Sequence, residues 1–466
     1  MEVTRHVLGR ALSFILFSVL QISLIFAADF LSADEGNQLS KRELLLQQLS
    51  ELESPGNANY PAMIEILTSL ANASMTLNLY AEASAFLGRS LQIQRRSAGL
   101  FSPHQVPIIF TKMQIDASSG NWDLVNVSLD NLYWLVMNKK VSKGDDLIEN
   151  LVLLTEFHLI GVLYDKPEMQ AHHYQEASKI AYQALEIGKR LWGSHDSRLL
   201  HLYYGLIKQL YMQAAAIELG DDTAYALRAI VPGSTWVRPR RIVRAGLYRA
   251  GLKLFEDMGE VIREGREDSV ESMGMLNLYL ADWHLLFDKR LAEETYSSAL
   301  AIFKEANLNE DRLDQLLDSP KILPIPNFYE SVSSALAAEA PEYKLSNTAE
   351  PLNTISEIFF QDWLHRISKN SLFIEVNPEL TIVKDESTAL RFSFRLNSLE
   401  AVTHWVNGRY RTNISVAEEL RILDDYQGLS TEFINNKLRL LHFRPRFENG
   451  SIRPSQGILV YDVASY

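Results

Sequence analysis

The residues of this chain that could do chemistry are dispersed. Histidines stand at His104, His158, His172, His173, His195 and His284, and none has a carboxylate or nucleophile at a spacing that would make it a general base. His172 and His173 are neighbours, so on a helix their side chains leave in different directions, a poor geometry for holding a metal. No Gly-rich phosphate loop, nucleophile elbow or zinc-binding His-Glu pair at helical spacing occurs. Asp145, Asp146 and Glu149 read as an acidic helix start, which the helix dipole favours without any substrate. Arg238, within a loop that holds two prolines and a glycine at Val231 to Pro239, and Arg240, Arg241, Arg244 and Arg249 after it could dock an acidic peptide or a lipid headgroup. Arg240 and Arg244 share a helical face, and Glu256, Asp257, Glu260, Glu264 and Glu267 follow as counter-charges, so the cluster reads as a solvated or internally paired face. The expectation is a protein that is not an enzyme, with no catalytic residue, no cofactor and no metal. Its surfaces would carry its function.

The elements that must build those surfaces are marked by a recurring pattern: an aromatic or bulky residue, a small one a helical turn later, then further apolar or small residues on the same face. The first copy is Tyr80, Ala83, Leu87 and Ser90, preceded by Leu70, Ala71, Leu77 and Asn78, and reads as two packed helices. The second is Trp122, Val125, Leu129 and Leu132, with Gly120 and Asn121 at the turn before it; the third is Tyr174, Ala177, Ala181 and Ala184. A weaker fourth has Trp283 in its first helix and Ala292, Tyr296 and Ala299 in its second. This pattern resembles the tetratricopeptide repeat. The long spacing, with Gly-containing segments at Arg95 to His104 and Arg190 to Ser197 after the second helices, is similar to the long-linker subtype of kinesin light chains. The resemblance covers residues 59–305, with a stretch lacking repeat register at about 221–274. It implies a helical solenoid whose concave face, lined by first helices, docks a ligand. Tyr80, Trp122, Tyr174 and Trp283 would pack between repeats.

A chain of 466 residues with 47% hydrophobic and 22% charged residues has a globular composition and room for two or three domains. Arg5 and Arg10 precede an apolar run from Ala11 to Ala27, the layout of a secretory signal peptide cleaved after Ala27. The run also borders on the length of a membrane-spanning anchor. There are no cysteines, so an exported chain would be stabilised by packing alone, which fits a bacterial periplasm. The sequons at Asn72, Asn126, Asn413 and Asn449 would then be inert. A formal charge of -13 argues against nucleic acid and disfavours anionic lipid. Membrane contact would come only through an uncleaved N-terminus.

Beyond residue 305 the composition changes. Asp311 to Pro326 carries three prolines and marks the exit from regular helix. Residues 306–371 read as a linker or helical segment, and strands are expected from Leu372. Ala389 to Leu396 alternates as a half-buried strand, Asn397 to Glu400 turns, and Ala401 to Trp405 returns as a hairpin. A helix at Thr431 to Leu441 and a last strand at Gly457 to Val463 complete the order. Residues 372–466 resemble the C-terminal domain of the TonB energy transducer, most closely at Phe443, Arg444, Pro445, Arg446, Phe447, Asn449 and Gly450. Such a sheet could capture an extended peptide at its edge or cap the array. The fold expected is therefore mainly α: residues 1–27 a signal peptide, 28–58 an N-terminal helical segment, then a tetratricopeptide-like solenoid followed by a small α+β TonB-like module. The function expected is a periplasmic, non-enzymatic scaffold of a Gram-negative bacterium that binds a protein or peptide. The alternative is an inner-membrane-anchored component of envelope energy transduction or transport.

Overall fold

The computed structural model describes residues 39–54, 59–219, 240–265, 270–287 and 289–339, and short stretches, mostly strands, between 343 and 462. The leader with Ala27, the loop containing Arg238, the turn at 397–400 and most of the expected helix at 431–441 lie outside the described residues. Among the described residues, no helix is long and apolar enough to cross a membrane. The described fold is mainly α-helical, with sequential helices packed on their neighbours in a repeat-like manner, and strands confined to the C-terminal third. Two compact units divide the chain after Lys143.

In the first unit, α1 (39–52), α2 (Tyr60–Thr76), α3 (Tyr80–Ala98), α4 (Gln105–Ser118) and α5 (Trp122–Val136) follow in order. Within the unit α2 packs on α3, α3 on α4 and α4 on α5. The Asn59 side chain caps α2 by accepting from the Ala62 amide, and Asn121 caps α5 by accepting from Leu124. Leu49, Met63, Leu67, Leu70 and Ile93 form one core cluster. Ala71, Ala83, Leu87, Ile108 and Ile115 form a second, with Tyr80 against its edge. The linker after α3 leaves the helix through Gly99, at φ +87°, a left-handed conformation that costs a glycine little. Gln105 then staples it, donating to the carbonyls of Gly99 and Leu100 at 3.1 and 2.9 Å.

The second unit holds α6 (Asp145–Tyr164), α7 (Pro167–Trp192), α8 (Arg198–Leu219), α9 (Arg240–Gly265), α10 (Val270–Leu285) and α11 (Lys289–Glu305), then α12 (Glu310–Leu317) and α13 (Val332–Glu339). Helices α6 and α7 pair, as do α8 and α9, and α10 and α11, with α7 on α8 and α9 on α10. The stretch at about 221–274 therefore contributes α9, which packs as a partner of α8. Glycines set the closeness of these crossings. A methyl added at Gly161 would lie 2.6 Å from the His173 ring, one at Gly251 2.3 Å from the Trp283 ring, and one at Gly274 2.6 Å from Phe303. No side chain larger than hydrogen fits at those distances without moving an aromatic or imidazole ring.

The strands are β1 (Lys321–Leu323), β2 (Tyr343–Ser346), β3 (Ile355–Phe360), β4 (Ala389–Leu396), β5 (Thr403–Val406), β6 (Arg409–Thr412), β7 (Glu418–Ile422), β8 (His442–Arg444), β9 (Arg446–Glu448), β10 (Ser451–Arg453) and β11 (Ser455–Asp462). A five-stranded sheet runs in the order β2-β3-β11-β4-β7, antiparallel except for the β3/β11 pair. Two separate hairpins, β5/β6 and β9/β10, and the pair β1/β8 make up the rest. The strand at 389–396 matches the expected bounds, but the hairpin proposed for 389–405 does not form. Both edges of β4 are taken, by β11 and β7, so the returning strand β5 pairs with β6 instead.

Candidate functional site

The face built by first helices in the second unit is already filled by the chain itself over part of its length. Residues 321–332 leave α12, form β1 and then run as a non-helical strap across α8 and α10. The hydroxyl of Tyr204 donates to the Ile325 carbonyl at 2.7 Å, the Lys208 ammonium to Pro326 at 2.9 Å, and the Tyr279 hydroxyl to Asn327 at 2.7 Å. Farther along, Ser272 donates to the Glu330 carbonyl at 3.0 Å, and the Val332 amide donates to Glu271 at 2.8 Å. These contacts step backwards along α10, so the strap runs antiparallel to it. Prolines at 324 and 326 lack an amide proton, which suits a backbone read through its carbonyls. Ile322, Leu323, Ile325 and Phe328 are buried, and the Phe328 ring lies 5.0 Å from that of Tyr279. At about 1.5–3 kcal/mol for each large apolar side chain, burial holds the strap by roughly 6–12 kcal/mol.

Strand β8 locks this arrangement. It pairs with β1 in the register Lys321 to Arg444, Ile322 to Phe443 and Leu323 to His442. Arg444 reaches α10, its Nε 3.0 Å from Asp282 Oδ1 and its Nη2 2.6 Å from Oδ2. Tyr296 of α11 donates to the same Oδ1 at 2.8 Å. Both charged side chains are about 2% exposed. Burial pushes the Asp282 carboxyl up, and the Arg444 guanidinium beside it pulls it back. Burial opposes the charge of Arg444, yet the facing carboxylate holds its pKa above the ordinary value. Phe443 and Phe447 are buried, Phe447 with its ring 5.0 Å from that of Tyr296, and Gly450 lies near Leu300. Within the stretch that resembles the TonB motif, Phe443, Arg444, Pro445 and Phe447 are thus buried, Arg444 against α10 and Phe447 beside Tyr296 of α11.

The repeat-signature residues occupy helix interfaces. Leu70, Ala71, Ala83, Leu87, Trp122, Ala177, Ala184, Ala292 and Ala299 are buried, whereas Tyr80 is half-buried with its hydroxyl on Asn78. Gly120, at φ +72°, turns the chain into α5. Tyr174 of α7 donates to Gln213 of α8 at 2.9 Å. Trp283 donates from its indole to the Tyr248 carbonyl at 3.2 Å, with Tyr211 and Phe287 around its ring. Of the basic cluster, Arg244 bonds the Leu286 carbonyl and stacks on Phe287, an internal engagement.

The scattered histidines hide one grouping. The Nδ1 atoms of His158 and His173 are 3.0 Å apart, and His173 Nε2 is 2.9 Å from Asp165 Oδ2. With Asp165 accepting from Nε2–H, His173 Nδ1 accepts from His158 Nδ1–H, so both rings are neutral. Burial, with the neighbouring rings of His173 and His172, pushes His158 down to about 3. His173 is also lowered by burial, against the pull of Asp165. No local pattern in the sequence marks this grouping: Asp165 lies in extended backbone just beyond the end of α6, and His173 returns from α7. The arrangement clamps α6 to α7. Among the described residues, no group of three or more His, Asp or Glu is placed to hold a metal.

An open-sided cavity of about 30 Å³ lies between α6, α7 and α8, lined in part by Thr155, Glu156, Ala181, Gly205, Lys208 and Gln209. No protein-family model matches the chain, and no curated protein matches its sequence.

Proposed function

We propose that the protein is a non-enzymatic interaction scaffold, exported to the periplasm of a Gram-negative bacterium, that binds an extended segment of a protein partner on the first-helix face of its helical repeats. The strap carries this reading. It is a proline-containing, non-helical stretch seated on α8 and α10 through its main-chain carbonyls, so it displays the kind of ligand this face accepts. The tetratricopeptide resemblance of residues 59–305 and the apolar leader ending at Ala27 support the same reading. The TonB-like stretch at 443–450 acts here as an internal clasp for the array. The test is cell fractionation with N-terminal sequencing, combined with photocrosslinkers placed on exposed first-helix positions. A mature chain beginning at Ala28 in the soluble periplasm, with discrete protein adducts, is the expected result. An intact Met1 in the inner membrane, crosslinked to a transporter, would replace this reading with that of a membrane-anchored transport component.

A further inference from the structure

The strap does not cover the whole first-helix face of the second unit. Its contacts lie on α8 and α10, and the cavity between α6, α7 and α8 adjoins them through a shared residue. Lys208 gives its ammonium to the Pro326 carbonyl and also lines the cavity. The cavity combines the small residues Ala181 and Gly205 with the polar side chains of Thr155, Glu156 and Gln209. A volume of about 30 Å³ admits a small side chain and no aromatic one. Polar groups set around so small a space suit the amides and carbonyls of a peptide backbone, as the hydroxyls and ammonium over the strap do.

We propose that this cavity is where a partner peptide docks: an extended segment lies on α6 and α8 beside the strap, places a small side chain over Ala181 and Gly205, and has its backbone read by Thr155, Glu156 and Gln209. The inference rests on the scaffold reading and specifies its ligand. The strap remains in place beside the site, joined to it through Lys208. The occupant follows from continuity with an interface the chain already makes on the adjoining pair of first helices.

A library of short random peptides displayed on phage and panned against the full-length chain tests the proposal. Enriched peptides with a small residue between extended, apolar or Pro-containing flanks are expected, and on binding they slow amide exchange at 152–159 and 202–209. Gly205→Ala, which adds one methyl to the lining, should weaken them several-fold without lowering the melting temperature, and Ala181→Phe, which overfills the cavity, about tenfold or more. Should Ala181→Phe unfold the chain, the Gly205 variant decides. Trp134→Ala, on α5, should leave binding unchanged. Enriched peptides whose footprint lies elsewhere would overturn this site and leave the scaffold reading standing. No enrichment, together with no crosslinked adduct, would remove both.

Discussion

A buried imidazole is a proton acceptor that the fold keeps empty. His158 and His173 are neutral inside the second unit, with His158 pushed down to about 3, whereas in the unfolded chain each titrates near 6.5. The unfolded state therefore binds more protons below pH 6.5. Stability contributed by these residues is complete above that pH and falls as the pH drops, for His158 down to about 3, by about 1.4 kcal/mol per pH unit for each proton taken up. Denaturant titrations at pH 7 and pH 5 should show the loss, and His158→Asn should reduce the difference. At the helix crossings the relevant quantity is volume. Ala83 and Ala177 are fully buried, so replacing either with Leu should cost on the order of 1–3 kcal/mol, read as a lowered melting temperature. These two residues were legible in the sequence because a small side chain one turn after an aromatic, repeated from copy to copy, marks a close helix crossing. Gly161, Gly251 and Gly274 were not, since the rings that abut them belong to a neighbouring helix.

Among elements, the strap and β8 matter most for the second unit, and neither could be read from local pattern. The prolines at 320, 324 and 326 signalled an exit from helix, which is correct, but nothing in that stretch says that it returns across α8 and α10. Arg444 stood inside a motif resembling a different domain, and its partner Asp282 lies 162 residues earlier. A pairing at that separation leaves no periodic trace. The strand at 389–396 was legible from alternation, while its partners were not, because a strand's pattern marks its faces and not its neighbours. Arg444→Met should destabilise the second unit by about 3–5 kcal/mol, since it strands the Asp282 carboxylate without its counter-ion. Adding Asp282→Asn should recover part of that loss in a denaturant titration. Phe328→Ala should cost about 3–5 kcal/mol by the same measurement, because the strap loses its largest anchor.

At the scale of the molecule, the division after Lys143 separates two cores with independent clusters of contacts. Scanning calorimetry should resolve two transitions. Ala83→Leu should move only the one belonging to residues 39–143, and Arg444→Met only the other. A helical-repeat assembly was legible across both units from the recurrence of Tyr80, Trp122, Tyr174 and Trp283. The filling of its first-helix face was not, because the filler comes from beyond the repeats. That origin fixes an order of events. A chain is synthesised from its N-terminus, and the first unit is complete in sequence by residue 143. Helix α10 has a buried carboxylate whose neutralising guanidinium lies 162 residues later in the chain, so the second unit cannot reach its final state until Arg444 is in place. The second unit therefore carries its own check for completeness: a product truncated before β8 lacks both the counter-ion of Asp282 and the strand that pairs with β1.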